Sequence, residues 1–291
     1  MKITVGIKNT KEAEFFLKNG ADELYFGFKA LPNNRLDKEN FSSKKDVLKL
    51  LNTVSGYKKH IFIAMNDFYS EKYFSDVLKL LIELKKYGLY GAIIKDPALL
   101  SYLNDKKFDF YFILSTLSNT FNYHSVKFYK SIGKINRVVL PMQMTAENAY
   151  NFLNNNDNIE TEVFCQPFYW GVNIDSSCSL PCPQTGKRKT LKFSDYPCLF
   201  KYESNKGDFY MPMPGPHYLL STFYDYYTLG ANYVKIARWP NTLRQIDLFL
   251  KVKYLLKLLN KGIKKKEFIS LGLDIDSKPI YYGQSFTFKS Y

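Results

Sequence analysis

The sequence predicts an α/β protein folded as a TIM-barrel-like (β/α)8 parallel barrel, with a cysteine-bearing insertion between strands 7 and 8. Short β-rich runs, apolar on both faces, alternate with segments of helical periodicity, which implies a parallel sheet covered on both sides. Eight such units run through the 291 residues, the number a closed barrel requires. An open doubly wound sheet is the alternative, but no G-x-G-x-x-G motif follows any strand.

The elements follow in order. "ITVGI" (3–7) leads into the helical "KEAEFFLKNG", and "ELYFGF" (23–28) is followed by "SKKDVLKLLNTV". "IFIAMN" (61–66), "GAIIKD" (91–96), "FDFYFILS" (108–115) and "INRVVL" (135–140) precede "YFSDVLKLLIELKKYG", "PALLSYL", "YHSVKFYKSIG" and "AENAYNFLNN". "TEVFC" (161–165) opens onto the insertion, and "ANYVKIARW" (231–239) is followed by "TLRQIDLFLKVKYLLKLL". Gly20, Gly88 and Gly133 stand where helix C-caps are expected. The barrel is read as residues 1–266, the insertion as 168–218, and 267–291 as a C-terminal tail with the strand-like patches "PIYYG" and "SFTFKS".

Lys and Arg number 41 against 27 Asp and Glu, a net charge of +14. Such a charge invites a nucleic-acid partner, because a basic face releases counterions from phosphates. Only five of the basic residues are Arg, the side chain suited to planar recognition of phosphate and bases. Lys, Asn, Tyr, Phe and Ile are abundant throughout, the pattern of an AT-rich genome, and this bias outweighs the nucleic-acid reading while leaving RNA open as a partner. No apolar run reaches the roughly 18 residues of a membrane span, and the N-terminus lacks a secretory pattern. A cytoplasmic location is expected, and four cysteines suit its reducing conditions.

All four cysteines fall within 34 positions, spaced C-x12-C-x3-C-x15-C: Cys165, Cys178, Cys182 and Cys198. In a reducing compartment such a cluster points to metal or redox chemistry, and four soft thiolates suit either zinc or an iron-sulfur cluster. Zinc ribbons usually carry paired C-x2-C knuckles; none is present, so the spacing favours an iron-sulfur cluster over zinc. Disulfides and unrelated buried cysteines are the structural alternatives. No nucleophilic triad is apparent. His60 opens a strand, His124 lies on a helix and His217 sits in an irregular segment, each with a structural or solvated reading.

In a barrel, chemistry belongs at the C-terminal ends of the strands. The polar residues there are Lys29, Arg35, Asn66, Asp96, Ser115, Asn119, Gln143, Cys165, Gln166 and Arg238, and the insertion leaves from the same rim, so the cysteines are expected over the mouth.

Several stretches, in order, resemble the collagenase-like peptidase family U32: "GADELYFGF" (20–28), "GAIIKDPALL" (91–100), "LSTLSNTFNYHSVKFYKSIGKINRVVLPMQMT" (114–145), "ETEVF" (160–164) and "LGANYVKIARW" (229–239). The resemblance implies a barrel-like core and a cysteine set that holds a 4Fe-4S cluster. It also implies oxygen-independent hydroxylation, of ubiquinone precursors in one branch and of RNA bases in others, rather than well-supported proteolysis. The short length and "LPMQ" (140–143), where many members carry L-x-R-E, look more like the ubiquinone-hydroxylation accessory branch, with a partner subunit of the same family. Cys178 and Cys198 match family cysteines; the family's histidine-glycine pair after "E-V-F" is replaced by "CQPFYWG", and Gln143 replaces a glutamate. By the same resemblance Asn66, Ser115 and Asn119 line the pocket, Glu162 is a matched residue, and Lys235 and Arg238 stand in for a K-I-x-x-R motif. The substrate so implied is small and anionic or planar. A noncatalytic RNA- or partner-binding module with a four-cysteine zinc site, and a peptidase, are the competing readings.

Overall fold

Lys2–Ile7 (β1) pairs in parallel with two strands far apart in sequence, Glu23–Phe28 (β2) and Tyr233–Ile236 (β8), and this double pairing closes the sheet. The computed structural model describes residues 1–35, 37–154, 158–165, 167, 201–205, 207–210, 215–238 and 241–276. The circle is completed by His60–Met65 (β3), Gly91–Ile94 (β4), Tyr111–Leu114 (β5), Arg137–Val139 (β6) and Glu160–Phe164 (β7), each parallel to its neighbours. This is the eight-stranded parallel barrel the alternating pattern predicts. A two-residue strand, Asn40–Phe41, adds to the C-terminal end of β2.

Between the strands run Thr10–Lys18 (α1), Lys44–Gly56 (α2), Phe74–Lys86 (α3), Pro97–Asp105 (α4), Tyr123–Ile132 (α5) and the single turn Tyr150–Leu153 (α6). Pro216–Thr228 (α7), Thr242–Asn260 (α8) and Lys265–Asp276 (α9) follow. Local chemistry sets the helix starts. Asn9, Ser43, Asp96, Asn122 and Asn241 each accept hydrogen bonds from the first-turn N–H groups, a cap worth about 1 kcal/mol each. Gly20 and Gly88 adopt left-handed φ values of 94° and 98° just past α1 and α3, as a helix stop requires. Gly133 does not; its φ is −176°, and a Cβ there would meet Leu100 Cγ at 2.7 Å, so close packing rather than handedness explains it.

Strand alternation divides the interior in two. Val5, Phe26, Ile63, Ile94, Leu114, Val138, Val163 and Ile236 face the helices in the main apolar core. Tyr25, Phe62, Ala64, Ile93, Ile113, Val139 and Phe164 fill the lumen with a smaller cluster. The lumen is therefore a packed interior with charge at both ends, not a pore.

Two segments differ from the sequence expectation. The last residues assigned to the insertion already belong to α7, which begins at Pro216, and within the insertion Lys201–Ser204 and Gly207–Tyr210 form an antiparallel ribbon. The helical layer also runs past residue 266, since α9 extends to Asp276 and buries Phe268 and Ile269. Patches "PIYYG" and "SFTFKS" lie outside the described residues. No helix among the described residues is long and apolar enough to cross a membrane.

Candidate functional site

A knot of charged side chains closes the N-terminal end of the lumen. Arg137, 1% exposed, donates from Nη1 to Glu23 Oε2 (2.6 Å) and Glu162 Oε2 (3.3 Å), and from Nη2 to Glu23 Oε1 (3.0 Å) and Glu160 Oε2 (3.3 Å). Its guanidinium carbon lies 3.4 Å from the centre of the Tyr233 ring, with Phe62 and Tyr111 each at 5.4 Å. Tyr111 and Tyr233 both donate to Glu160. Burial would push the Arg137 pKa down, but hydrogen bonding to Glu23 and the charges of Glu162 and Glu23 outweigh it and raise it. His60 stacks on Tyr90 with ring centres 3.6 Å apart and lies 3.7 Å from Glu23 Oε1, a structural role.

One layer higher, Lys235 Nζ donates to Glu162 Oε1 at 3.1 Å and stands 4.2 Å from the Tyr25 ring centre. Burial, the largest influence, holds the Lys235 pKa below its usual value despite Glu162. Both residues were predicted to bind substrate; both are buried and paired with each other inside the barrel.

The mouth lies above them. Arg238, just past β8, donates from Nη2 to Glu12 Oε1 (3.1 Å), and its Nε is 3.0 Å from Glu39 Oε2. Glu12 also accepts from Thr242 (2.7 Å) and from the Lys8 backbone (3.0 Å). The Tyr25 hydroxyl accepts from the Arg238 backbone N–H, and burial raises its pKa to about 12, so it is a neutral phenol there. Arg35 reaches into the same end, donating to the Ile7 carbonyl at 2.9 Å. Lys95, facing the lumen just past β4, places Nζ 4.0 Å from the ring centre of Phe68, an aromatic that is 48% exposed. Two glycines make the room. A Cβ on Gly6 would sit 2.7 Å from the Tyr25 ring, and one on Gly27 would sit 1.9 Å from Asn40 Oδ1.

The other predicted pocket residues divide. Asn66, just past β3, has a buried Oδ1 with no hydrogen-bond partner among the described residues, and so does Asn119, held in the left-handed region at φ 52°. Ser115 is buried and caps the short helical turn after β5 by accepting from the Leu117 N–H, a structural duty. His124 and His217 are exposed on α5 and α7. Gln166, Cys178, Cys182 and Cys198 lie outside the described residues.

Cys165 is the one candidate metal ligand that is described. Its N–H donates to the Lys235 carbonyl at 3.1 Å, extending the β7–β8 pairing and preserving the alternation. Phe164 and Glu162 therefore point into the lumen, while Cys165 packs with Val163 in the helix-facing core, wholly buried. Burial pushes its thiol up to about 12. Cys165 thus does not fit a ligand aimed over the mouth. Among the described residues, no group of three or more His, Cys, Asp or Glu could hold a metal ion.

Sequence reasoning missed Glu12 and Glu39. The spacing Asn9-x-x-Glu12 is a helix-start signature and marks Glu12 as a first-turn acid, but its contact with Arg238 spans 226 residues.

Fold and mouth together define a TIM-barrel-like α/β barrel whose C-terminal opening is lined by the cations Arg35, Lys95 and Arg238 and by the exposed ring of Phe68. Residues 8–168 match peptidase family U32, and the chain belongs to that family. Among solved structures it is similar to the U32 peptidase Mk0906, with a TM-score of 0.54 and 11% identity over 83% of this chain and 94% of that one. At that identity the likeness shows the fold alone. Further similarities are a truncated 3-deoxy-D-arabino-heptulosonate 7-phosphate synthase from Thermotoga maritima (TM-score 0.46, 12% identity, 89% of this chain and 88% of that one) and oxaloacetate acetylhydrolase (0.46, 11%, 98% and 94%). No curated protein matches the chain.

Proposed function

We propose that this U32 family member is an iron-sulfur enzyme, or enzyme subunit, that hydroxylates a small anionic, planar substrate without dioxygen at the C-terminal mouth of the barrel. The observation that carries the reading is the composition of that mouth: Arg35, Lys95 and Arg238 stand there beside Tyr25 and the exposed ring of Phe68. Cations in a partly enclosed, low-dielectric site bind an anionic group more strongly than in water, and an aromatic face accepts a flat ring. Tyr25, neutral, offers a hydroxyl for hydrogen bonding rather than a phenolate. A ubiquinone-type precursor combines both features, and an RNA base shares the planar one.

A 4Fe-4S cluster would supply electron-transfer chemistry, accepting the two electrons released when water-derived oxygen replaces a substrate C–H and passing them to an external acceptor. In this reading Cys178, Cys182 and Cys198 hold it, and Cys165 serves the core. The chain's own groups bind, orient and exclude water. Anaerobic purification followed by iron, sulfide and visible-spectrum analysis tests the proposal. About four irons per chain, with a brown colour, is the expected result. An iron-free protein after anaerobic reconstitution overturns it, and one zinc per chain replaces it with a structural metal site.

A further inference from the structure

Of Arg137, Lys235, Arg238 and Arg35, Arg35 alone has no carboxylate at ion-pair distance among the described residues, although Arg238 Nε and Nη1 also lack a well-aligned hydrogen bond. Arg137 is held by three glutamates, Lys235 by Glu162, and Arg238 by Glu12 and Glu39. Arg35 has one hydrogen bond, from Nη2 to the Ile7 carbonyl, and its guanidinium carbon lies 5.5 Å from the Tyr25 ring centre. Its Nε and Nη1 are buried and donate to nothing among the described residues. No carboxylate there pairs with it, although a buried charge is stable only with a partner. Burial accordingly pulls its pKa down, yet a guanidinium stays protonated in a protein.

The remaining donors form a usable edge. Nη2 carries two N–H groups, and the Ile7 carbonyl takes one. Whichever it takes, a complete pair remains, either Nε with Nη2 or Nη1 with Nη2, the planar fork that matches two oxygens of an oxyanion. The surroundings are built to hold this fork. A Cβ on Gly27 would meet Arg35 Cδ at 2.8 Å as well as Asn40, so the bare strand position is what lets Arg35 lie across the end of β2. Asn34, the preceding residue, donates to the Asn66 carbonyl at 3.1 Å and ties the loop to the end of β3.

We propose that Arg35 is the oxyanion-binding residue of the mouth, taking the carboxylate or phosphate of the ligand through its unoccupied edge. The inference rests on the mouth being the substrate site and names the group that recognises charge there, a role that Arg238, paired with two glutamates, does not fill. An incoming oxyanion breaks no hydrogen bond of the protein, because none is made by those donors.

Titration calorimetry of the full chain with inorganic phosphate and, separately, with benzoate tests it, using the wild type, Arg35→Lys and Arg35→Gln. Saturable binding of at least one oxyanion is expected, about tenfold or more weaker in R35Q and intermediate in R35K, which keeps the charge but loses the planar fork. Phosphate binding alone assigns a phosphoryl ligand, and benzoate binding alone a carboxylate. Thermal melts of the free proteins supply the second readout: R35Q should melt within a few degrees of wild type, since the Ile7 hydrogen bond and the Tyr25 contact are lost but no ion pair is. Binding of neither oxyanion to the wild type, equal binding by R35Q, or an R35Q protein that melts far lower or fails to fold would each overturn the proposal. The measurement needs no cluster, so its outcome is separate from that of the iron analysis.

Discussion

Glu162 and Lys235 form a buried ion pair in the barrel interior, Oε1 to Nζ at 3.1 Å, while the other oxygen of the same carboxylate receives Arg137 at 3.3 Å. One side chain of β7 thus links the charged N-terminal end of the lumen to the layer beneath the mouth. Its chemistry is to neutralise two cations that would otherwise lie in a low-dielectric interior.

Replacing Arg137 by Met should be the most damaging change in the lumen. It leaves Glu23, Glu160 and Glu162 facing one another with only Lys235 and His60 nearby. A loss of about 3–5 kcal/mol is expected from breaking a buried pair on one side only. Urea denaturation at neutral pH reads it directly; a loss below about 1 kcal/mol would mean the cluster contributes little.

Acid should act through Glu23. Burial alone would raise its pKa above the ordinary 4.5, but hydrogen bonds with His60 and Arg137 outweigh burial and hold it lower. The unfolded chain therefore takes up this proton first as pH falls, so the stabilisation is complete above about 4.5 and is lost as pH drops through the lower folded value. The stability gap between wild type and Glu23→Gln should shrink between about pH 6 and about pH 3. A gap that does not change with pH in that range would remove Glu23 as the titrating group.

Cys165 should behave as a core residue. Burial pushes its thiol up to about 12 and shields it from solvent, so iodoacetamide should leave it unmodified in the folded protein at pH 8. Cys165→Ala should keep the iron content of the wild type, whereas alanine at Cys178, Cys182 or Cys198 should lower it. Mass spectrometry and iron analysis decide both points. Iron lost on Cys165→Ala would return this residue to the ligand set.

Gly91→Ala should destabilise by about 1–3 kcal/mol or more. Its Cβ would lie 2.2 Å from the Tyr111 backbone carbonyl and 2.9 Å from the Phe62 ring, and a backbone atom cannot rotate aside. Thermal melting of the variant measures the effect, and an unchanged midpoint would show that β4 and β5 can separate to admit the methyl group.

The barrel was legible because its signals are local. Runs such as "ELYFGF" and "HIFIAM" are apolar on both faces, and the caps Asn9, Ser43 and Asp96 mark helix starts within four residues. α7 was partly hidden because Tyr and Phe, residues that favour strands, crowd its sequence. α9 was hidden by Gly272 in its middle, where a Cβ would lie 2.5 Å from Leu220 Cδ2: the residue that weakens helix propensity is the one that lets α9 approach α7. The mouth was legible only as a set of residue types. Arg238 stands just past a strand end as expected and Lys235 lies within the strand, but the partners of both come from across the chain, so no spacing reveals that both are already ion-paired while Arg35 is not.

The stacked His60–Tyr90 pair and the Arg137 knot together stopper the barrel at its N-terminal side. The lumen is a cul-de-sac. In the reading proposed above, a molecule that docks at the mouth departs by the same opening, and its successor waits until it leaves.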